Sequence, residues 1–181
     1  SACNETLKRM NRKYTIEEYM EKCALIRRYY DRPAITTDVI VGFPGETQEE
    51  FDITKENLEK LNLYEMHIFK YSIRKGTVAA GMKNQVNDAV KTLRSKVLLE
   101  MNEKNHKEYM ESFVGKNERV LIEEKIIIDN REYYVGHNER YIKILVNSEE
   151  ISKRYKDIEN EIISVKILKL FDEQRLYGIV S

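Results

Sequence analysis

Apolar positions recur along this chain at two different periods. After Thr15, the residues Ile16, Tyr19, Met20, Cys23, Ile26 and Tyr30 fall at three- and four-residue spacing, which predicts a helix with one apolar stripe. Thr15 and Glu18 form a capping box in front of it, and Thr47 and Glu50 form a second. The second box predicts a helix to about Leu61, with Phe51, Thr54, Leu58 and Leu61 on its inner face. Between these helices Ala34 to Val41 reads as a buried strand, and Tyr64 to Tyr71 as the next. A long amphipathic helix is expected from about Asn87 to Ser112, carrying Val90, Leu93, Val97, Met101 and Tyr109.

Past Gly115 the period shortens. Arg119–Glu123, Glu132–Gly136, Arg140–Val146, Ile162–Leu170 and Leu176–Val180 read as short strands separated by Asn-, Asp- and Gly-bearing turns. Helix and strand alternate in the first part, which argues for parallel β/α units. The second part fits a small closed or nearly closed barrel. The expected boundary is at about Phe113, giving domains 1–112 and 113–181.

Composition narrows the picture. The 181 residues are 41% hydrophobic and 34% charged with no net charge, as in a soluble globular chain, and this excludes a strongly basic nucleic-acid binder as a whole-chain reading. No apolar run approaches the ~20 residues of a membrane span, and no signal peptide is visible, so no membrane partner is expected. The two cysteines, Cys3 and Cys23, offer neither a disulfide framework nor metal-ligand spacing, so a reducing, cytoplasmic setting is the expectation. Basic residues cluster locally. Lys8, Arg9, Arg12 and Lys13 lie close together, and Lys70, Arg74, Lys75 and Lys83 occupy a stretch without acids. Either group is a local phosphate contact or an ordinary solvated surface run.

The candidate chemistry sits in Asp38-Val39-Ile40-Val41-Gly42-Phe43-Pro44-Gly45-Glu46-Thr47. A β-branched run ends in a Gly-Phe-Pro-Gly turn before a helix, at a strand's carboxyl end, where α/β sheets keep their ligands. The helix-opening amides make a modest anion site. Asp38 in an apolar strand either pairs with a neighbour or binds something polar. His67, His106 and His137 are not placed for a triad. Tyr133, Tyr134 and Tyr141, on barrel strands, are able to stack on bases.

Together with Leu7-Lys8-Arg9-Met10-Asn11-Arg12, Tyr14-Thr15 and Tyr71-Ser72-x-Arg74-x-Gly76-Thr77-x-Ala79, this loop resembles the radical S-adenosylmethionine methylthiotransferases. The Phe69–Thr77 form, with His67 upstream, most resembles the branch acting on tRNA N6-threonylcarbamoyladenosine beside the anticodon. The branches acting on isopentenyladenosine or on a ribosomal protein aspartate remain open. Gly115, Val120–Glu123 and Gly136-His137-Asn138-x-x-Tyr141-Ile142-Lys143 are similar to the TRAM domain, although Asn138 stands where that pattern has threonine. The resemblance implies an α/β fold, with the last β/α units of a partial TIM-like barrel followed by a TRAM-like, RNA-holding β-barrel.

In that family S-adenosylmethionine and two 4Fe–4S clusters insert a methylthio group at C2 of the adenine. The Cys-x3-Cys-x2-Cys motif that holds the radical-generating cluster does not occur here. The resemblance therefore implies the carboxyl-terminal part of a longer enzyme, inactive alone, whose partners are the rest of that polypeptide and a tRNA anticodon stem-loop. Carried over by motif position, Arg12, Asp38, Gly42, Phe43, Pro44, Gly45 and Glu46 cradle S-adenosylmethionine, Arg74 and Lys75 meet either RNA phosphate or the cofactor, and Tyr141 and Lys143 contact RNA. No residue is implied as catalytic or as a metal ligand. An open barrel edge further implies dimerisation or poor solubility. The reading outside the enzyme class is a self-standing RNA-binding module.

Overall fold

The computed structural model describes residues 1–152 and 158–181. The chain separates into two compact units, Ser1–His106 and Lys107–Ser181.

In the first unit, α1 (Asn4–Arg9) and α2 (Ile16–Tyr29) precede strand β1 (Thr36–Val41), followed by α3 (Gln48–Leu61) and strand β2 (Glu65–Lys70). A short 3₁₀ turn at Val78–Gly81 leads to α4 (Asp88–Glu111), within which the division into units falls. Strands β1 and β2 pair in parallel, Thr36 opposite Glu65 through Val41 opposite Lys70. Both capping boxes form. Thr15 Oγ1 accepts from the Glu18 amide at 3.3 Å, and the Glu18 carboxylate accepts from the Thr15 amide at 2.9 Å. Thr47 and Glu50 do the same at 3.2 and 3.1 Å. Asn62, at φ 44°, closes α3 in the left-handed conformation.

The core of this unit gathers Leu7, Val39, Val41, Phe51, Leu58, Leu61, Leu63, Met66, Leu98 and Met101. Three expectations are corrected. Of the α2 stripe, Ile16 and Cys23 are buried, whereas Ile26 is 39% and Tyr30 66% exposed. Tyr30 follows the helix with extended backbone (ψ 131°), so it leaves the helical face. On β1 only Val39 and Val41 are buried. On α4 the buried face is Lys91, Arg94, Leu98, Met101 and Asn105, while Leu93 is 66% exposed. Met101 is buried and Tyr109 packs against a core as their spacing requires. Val97 as well as Leu93 is exposed, because the inward register also carries two cations and an amide that apolar periodicity does not mark.

The second unit is a five-stranded closed barrel in the order β3-β4-β5-β7-β6. Its elements are β3 (Asn117–Ile128), β4 (Arg131–Asn138), β5 (Lys143–Asn147), the short α5 (Ser148–Ser152), β6 (Ile162–Leu170) and β7 (Arg175–Val180). Neighbours are antiparallel except β5 and β7, which run parallel. Val120, Ile122, Ile144, Val146, Val165, Ile167 and Leu176 fill the interior, and Met110 and Phe113 join them. At Gly136 the β3 and β4 backbones approach so closely that a Cβ would lie 1.9 Å from the Leu121 carbonyl oxygen. Two placements differ from expectation: His137 lies on β4 and not in a turn, and residues 139–142 form a turn before β5.

Candidate functional site

The end of β1 runs into a loop built around one buried carboxylate. Gly42 and Gly45 have φ of 71° and 80°, conformations that favour glycine, and Phe43, Pro44 and Glu46 are buried with Gly42. Glu46 turns back on its own loop. Its Oε2 accepts from the Gly42 amide at 2.6 Å and from Arg94 Nη1 of α4 at 2.7 Å. The same guanidinium donates to the Glu46 carbonyl at 3.2 Å. Glu46 Oε1 is buried without a hydrogen-bond partner. Burial pushes this carboxyl above its usual range, while the Gly42 amide and Arg94 pull it back.

Lys91 locks the loop from the other side. It donates to the Tyr71 carbonyl at 3.0 Å, and its side chain fills the space where a Gly42 Cβ would fall. The Phe43 ring meets Tyr71 edge-on at 5.4 Å. The loop is thus tied to α4 through Glu46, Lys91 and Arg94. The helix behind it is likewise capped by its own acid, since Glu50 holds the first turn and pairs with Arg9 (Arg9 Nη1 to Oε1, 2.8 Å). That pairing lowers the Glu50 carboxyl. The negative charge that the amides of α3 attract is thus already supplied.

Arg12 and Asp38 come together elsewhere. Both line a cleft of about 150 Å³ over β1, with Met10, Tyr14, Thr37, Ile40 and Phe69 among its walls. Asn11, at φ 57°, turns the chain after α1 and so presents Arg12 to the cleft. Both side chains are exposed, and neither makes an ion pair with a described residue. The strand register sets exposed His67 beside Asp38. Gly42 to Glu46 do not line this cleft; Gly45 and Glu46 border a separate shallow depression with Lys83, Asn84 and Arg94. Arg74 and Lys75 are exposed in the connection after β2, whereas Lys70 of the same basic stretch pairs with Asp88 at 3.4 Å.

In the barrel Tyr133 is buried and Tyr134 half-buried against the core, which leaves Tyr141 as the exposed ring of the three at 79%. Tyr141 stacks on His137, ring centres 4.3 Å apart and 12° from parallel. His137 Nδ1 lies 2.8 Å from a Glu123 oxygen. Asn138 organises the turn between them: its Oδ1 accepts from the amides of Arg140 and Ile142, both at 3.0 Å, and its Nδ2 donates to Glu118 at 3.0 Å.

Residues 1–58 match the radical SAM superfamily. A Bacillus subtilis (strain 168) protein named threonylcarbamoyladenosine tRNA methylthiotransferase MtaB is 36% identical over 170 residues, 93% of this chain and 36% of its own length. The chain is related to the radical S-adenosylmethionine tRNA methylthiotransferases. Two further relatives carry the name tRNA-2-methylthio-N(6)-dimethylallyladenosine synthase. The one from Acetivibrio thermocellus is 47% identical over 117 residues (65% of this chain, 24% of its own). The one from Ehrlichia ruminantium (strain Welgevonden) is 34% identical over 180 residues (99% and 39%). The chain thus spans between about a quarter and two fifths of the length of these methylthiotransferases. Arg12, Asp38 and the Gly42–Glu46 loop all fall inside the segment that matches the superfamily.

Sequence reasoning missed Arg94 and Lys91, the hydrogen bonds by which Asn138 shapes its turn, and the Glu123–His137–Tyr141 arrangement. Arg94 lies 48 positions from Glu46, so no local spacing connects them.

Proposed function

We propose that this chain works as part of a tRNA methylthiotransferase that modifies C2 of N6-threonylcarbamoyladenosine next to the anticodon. What carries the reading is the Arg12–Asp38 cleft: a guanidinium and a carboxylate, neither ion-paired among the described residues, line one small cavity, and both fall inside the segment that matches the radical SAM superfamily. The Bacillus relative, aligned over most of the chain, favours the threonylcarbamoyl branch. The names of the other relatives favour dimethylallyladenosine as the second reading.

The described residues do not fit an iron–sulfur cluster. Cys3 caps α1 and Cys23 is packed in α2, both buried, and no group of three or more ligating side chains gathers among the described residues. No step is assigned to a cluster here. S-adenosylmethionine fits better. A guanidinium can pair with its carboxylate and a carboxylate can accept from its ribose hydroxyls, although about 150 Å³ admits only part of such a molecule. When bound and reductively cleaved, that cofactor supplies the radical chemistry.

In this account Arg12 and Asp38 orient the polar ends of the cofactor. The Gly42–Glu46 loop, with Phe43 and Pro44, stiffens the strand end behind it. Arg74 and Lys75 meet tRNA phosphates, and the barrel acts as a TRAM-like RNA holder through Tyr141 and Lys143. The test is S-adenosylmethionine binding by the polypeptide that carries this segment together with a cluster-binding part. Arg12→Ala and Asp38→Asn should each weaken binding by about tenfold or more, the worth of one charge-assisted contact. Unchanged affinity in both variants rules the cradle out.

A further inference from the structure

The Tyr141 backbone and ring together point to a ligand. At φ 61° Tyr141 adopts the left-handed region that an aromatic residue seldom occupies, and the residue is 79% exposed. The turn is held by the Asn138 side chain and by the Tyr141 amide donating to the Asn138 carbonyl at 3.0 Å. One face of the ring is covered by the His137 imidazole, which Glu123 holds by Nδ1. The other face has no aromatic neighbour among the described residues. An unfavourable backbone is thus maintained to display a flat ring whose underside is already braced.

The surroundings choose the ligand chemistry. The barrel register sets Leu121, His137, Lys143 and Arg175 side by side across β3, β4, β5 and β7. Lys143 is exposed and makes no ion pair with a described residue, whereas the Arg175 charge is met by Asp172. A free ammonium therefore lies one strand away from the stacked rings. One planar group stacked on Tyr141, with an anionic linkage reaching Lys143, is the chemistry of an unpaired nucleotide.

We propose that the Tyr141 face opposite His137 is a stacking platform for one unpaired base of single-stranded RNA. Lys143 binds the adjoining phosphate, and His137, fixed by Glu123, is the positioning residue that holds the ring in place. This rests on the RNA-holding reading of the barrel and adds which face is used and that it takes an unpaired nucleotide rather than a duplex.

The experiment measures binding of the whole chain to an RNA stem-loop carrying 2-aminopurine in its unpaired loop, and to the matching closed duplex. The unsubstituted chain should bind the loop with strong salt dependence, quench the probe and prefer the loop over the duplex. Tyr141→Gly suits the left-handed backbone and so keeps the fold, but should weaken loop binding about 5- to 150-fold and abolish the quench. His137→Ala should reduce both affinity and quench in part, and His137→Phe, a flat ring able to stack, should restore them. Equal loop binding and quench by Tyr141→Gly and the unsubstituted chain overturns the platform alone. An unsubstituted chain that binds neither RNA overturns the barrel's RNA reading and the platform with it.

Discussion

Removing Arg94 tests whether the loop after β1 is held by its buried ion pair. In Arg94→Met the methionine keeps much of the apolar stem, but the Glu46 carboxylate loses its cation while its side chain stays fully buried. The Arg94 side chain is only 6% exposed, so water does not replace it readily. Breaking one side of such a pair costs about 3–5 kcal/mol. With a urea dependence of roughly 2 kcal/mol per molar, the unfolding midpoint of this unit should fall by about 1.5–2.5 M.

The pH dependence follows from the same geometry. Burial already raises the Glu46 carboxyl, and Arg94 is one of the groups opposing that rise. Without Arg94 the folded-state value climbs further above the unfolded one. A carboxyl raised on folding contributes stability below its unfolded value and loses it as pH rises through its folded value. The deficit of Arg94→Met should therefore be larger at pH 8 than at pH 5. Adding Glu46→Gln removes the buried charge, lets an amide oxygen accept from Gly42, and should recover much of the loss together with its pH dependence. Urea titrations at the two pH values read this out. An unchanged midpoint, or a deficit identical at both pH values, refutes the reasoning.

Other substitutions probe the two units separately. Gly42→Ala places a methyl group on the Lys91 stem, 2.4 Å from its Cγ, at a φ that disfavours any side chain, and should lower the urea midpoint of the first unit. Gly136→Ala drives a methyl into the Leu121 carbonyl and should prevent the barrel from closing, seen as loss of its cooperative unfolding transition. Asn138→Ala removes three hydrogen bonds at the β4–β5 turn and should destabilise the barrel by about 2–3 kcal/mol. Asn138→Thr, which keeps one oxygen acceptor, should cost less in the same denaturation assay.

The sequence makes some of this arrangement plain and conceals the rest for identifiable reasons. Thr15–Glu18 and Thr47–Glu50 announce their helices because a capping box is local chemistry, and Phe51, Thr54, Leu58 and Leu61 are buried as their spacing requires. The strands of the second unit are legible from period-two alternation, except at residues 139–142, where Asn138 bends the chain and takes Tyr141 off the strand. The face of α4 is legible at Met101 and Tyr109 but not at its start, where the inward positions are Lys91 and Arg94, whose burial depends on a loop far away in sequence. Glu46 is nameable from its motif position, but its contacts with the Gly42 amide and with Arg94, 48 positions away, are not. Arg12 and Asp38 are nameable from motif positions, yet their meeting in one cleft is a tertiary fact. The same holds for His137, whose stacking on Tyr141 depends on a turn that alternation cannot foresee.

We propose that the longer polypeptide carrying this chain methylthiolates N6-threonylcarbamoyladenosine in tRNA, with Asp38 at the cofactor. Mass spectrometry of tRNA nucleosides tests it most directly, in cells lacking the gene and in cells complemented with the unsubstituted or the Asp38→Asn gene. The 2-methylthio derivative should disappear on deletion while N6-threonylcarbamoyladenosine accumulates. The unsubstituted gene should restore the derivative and Asp38→Asn should not. An unchanged level of the 2-methylthio derivative in the deletion, or full restoration by Asp38→Asn, contradicts it.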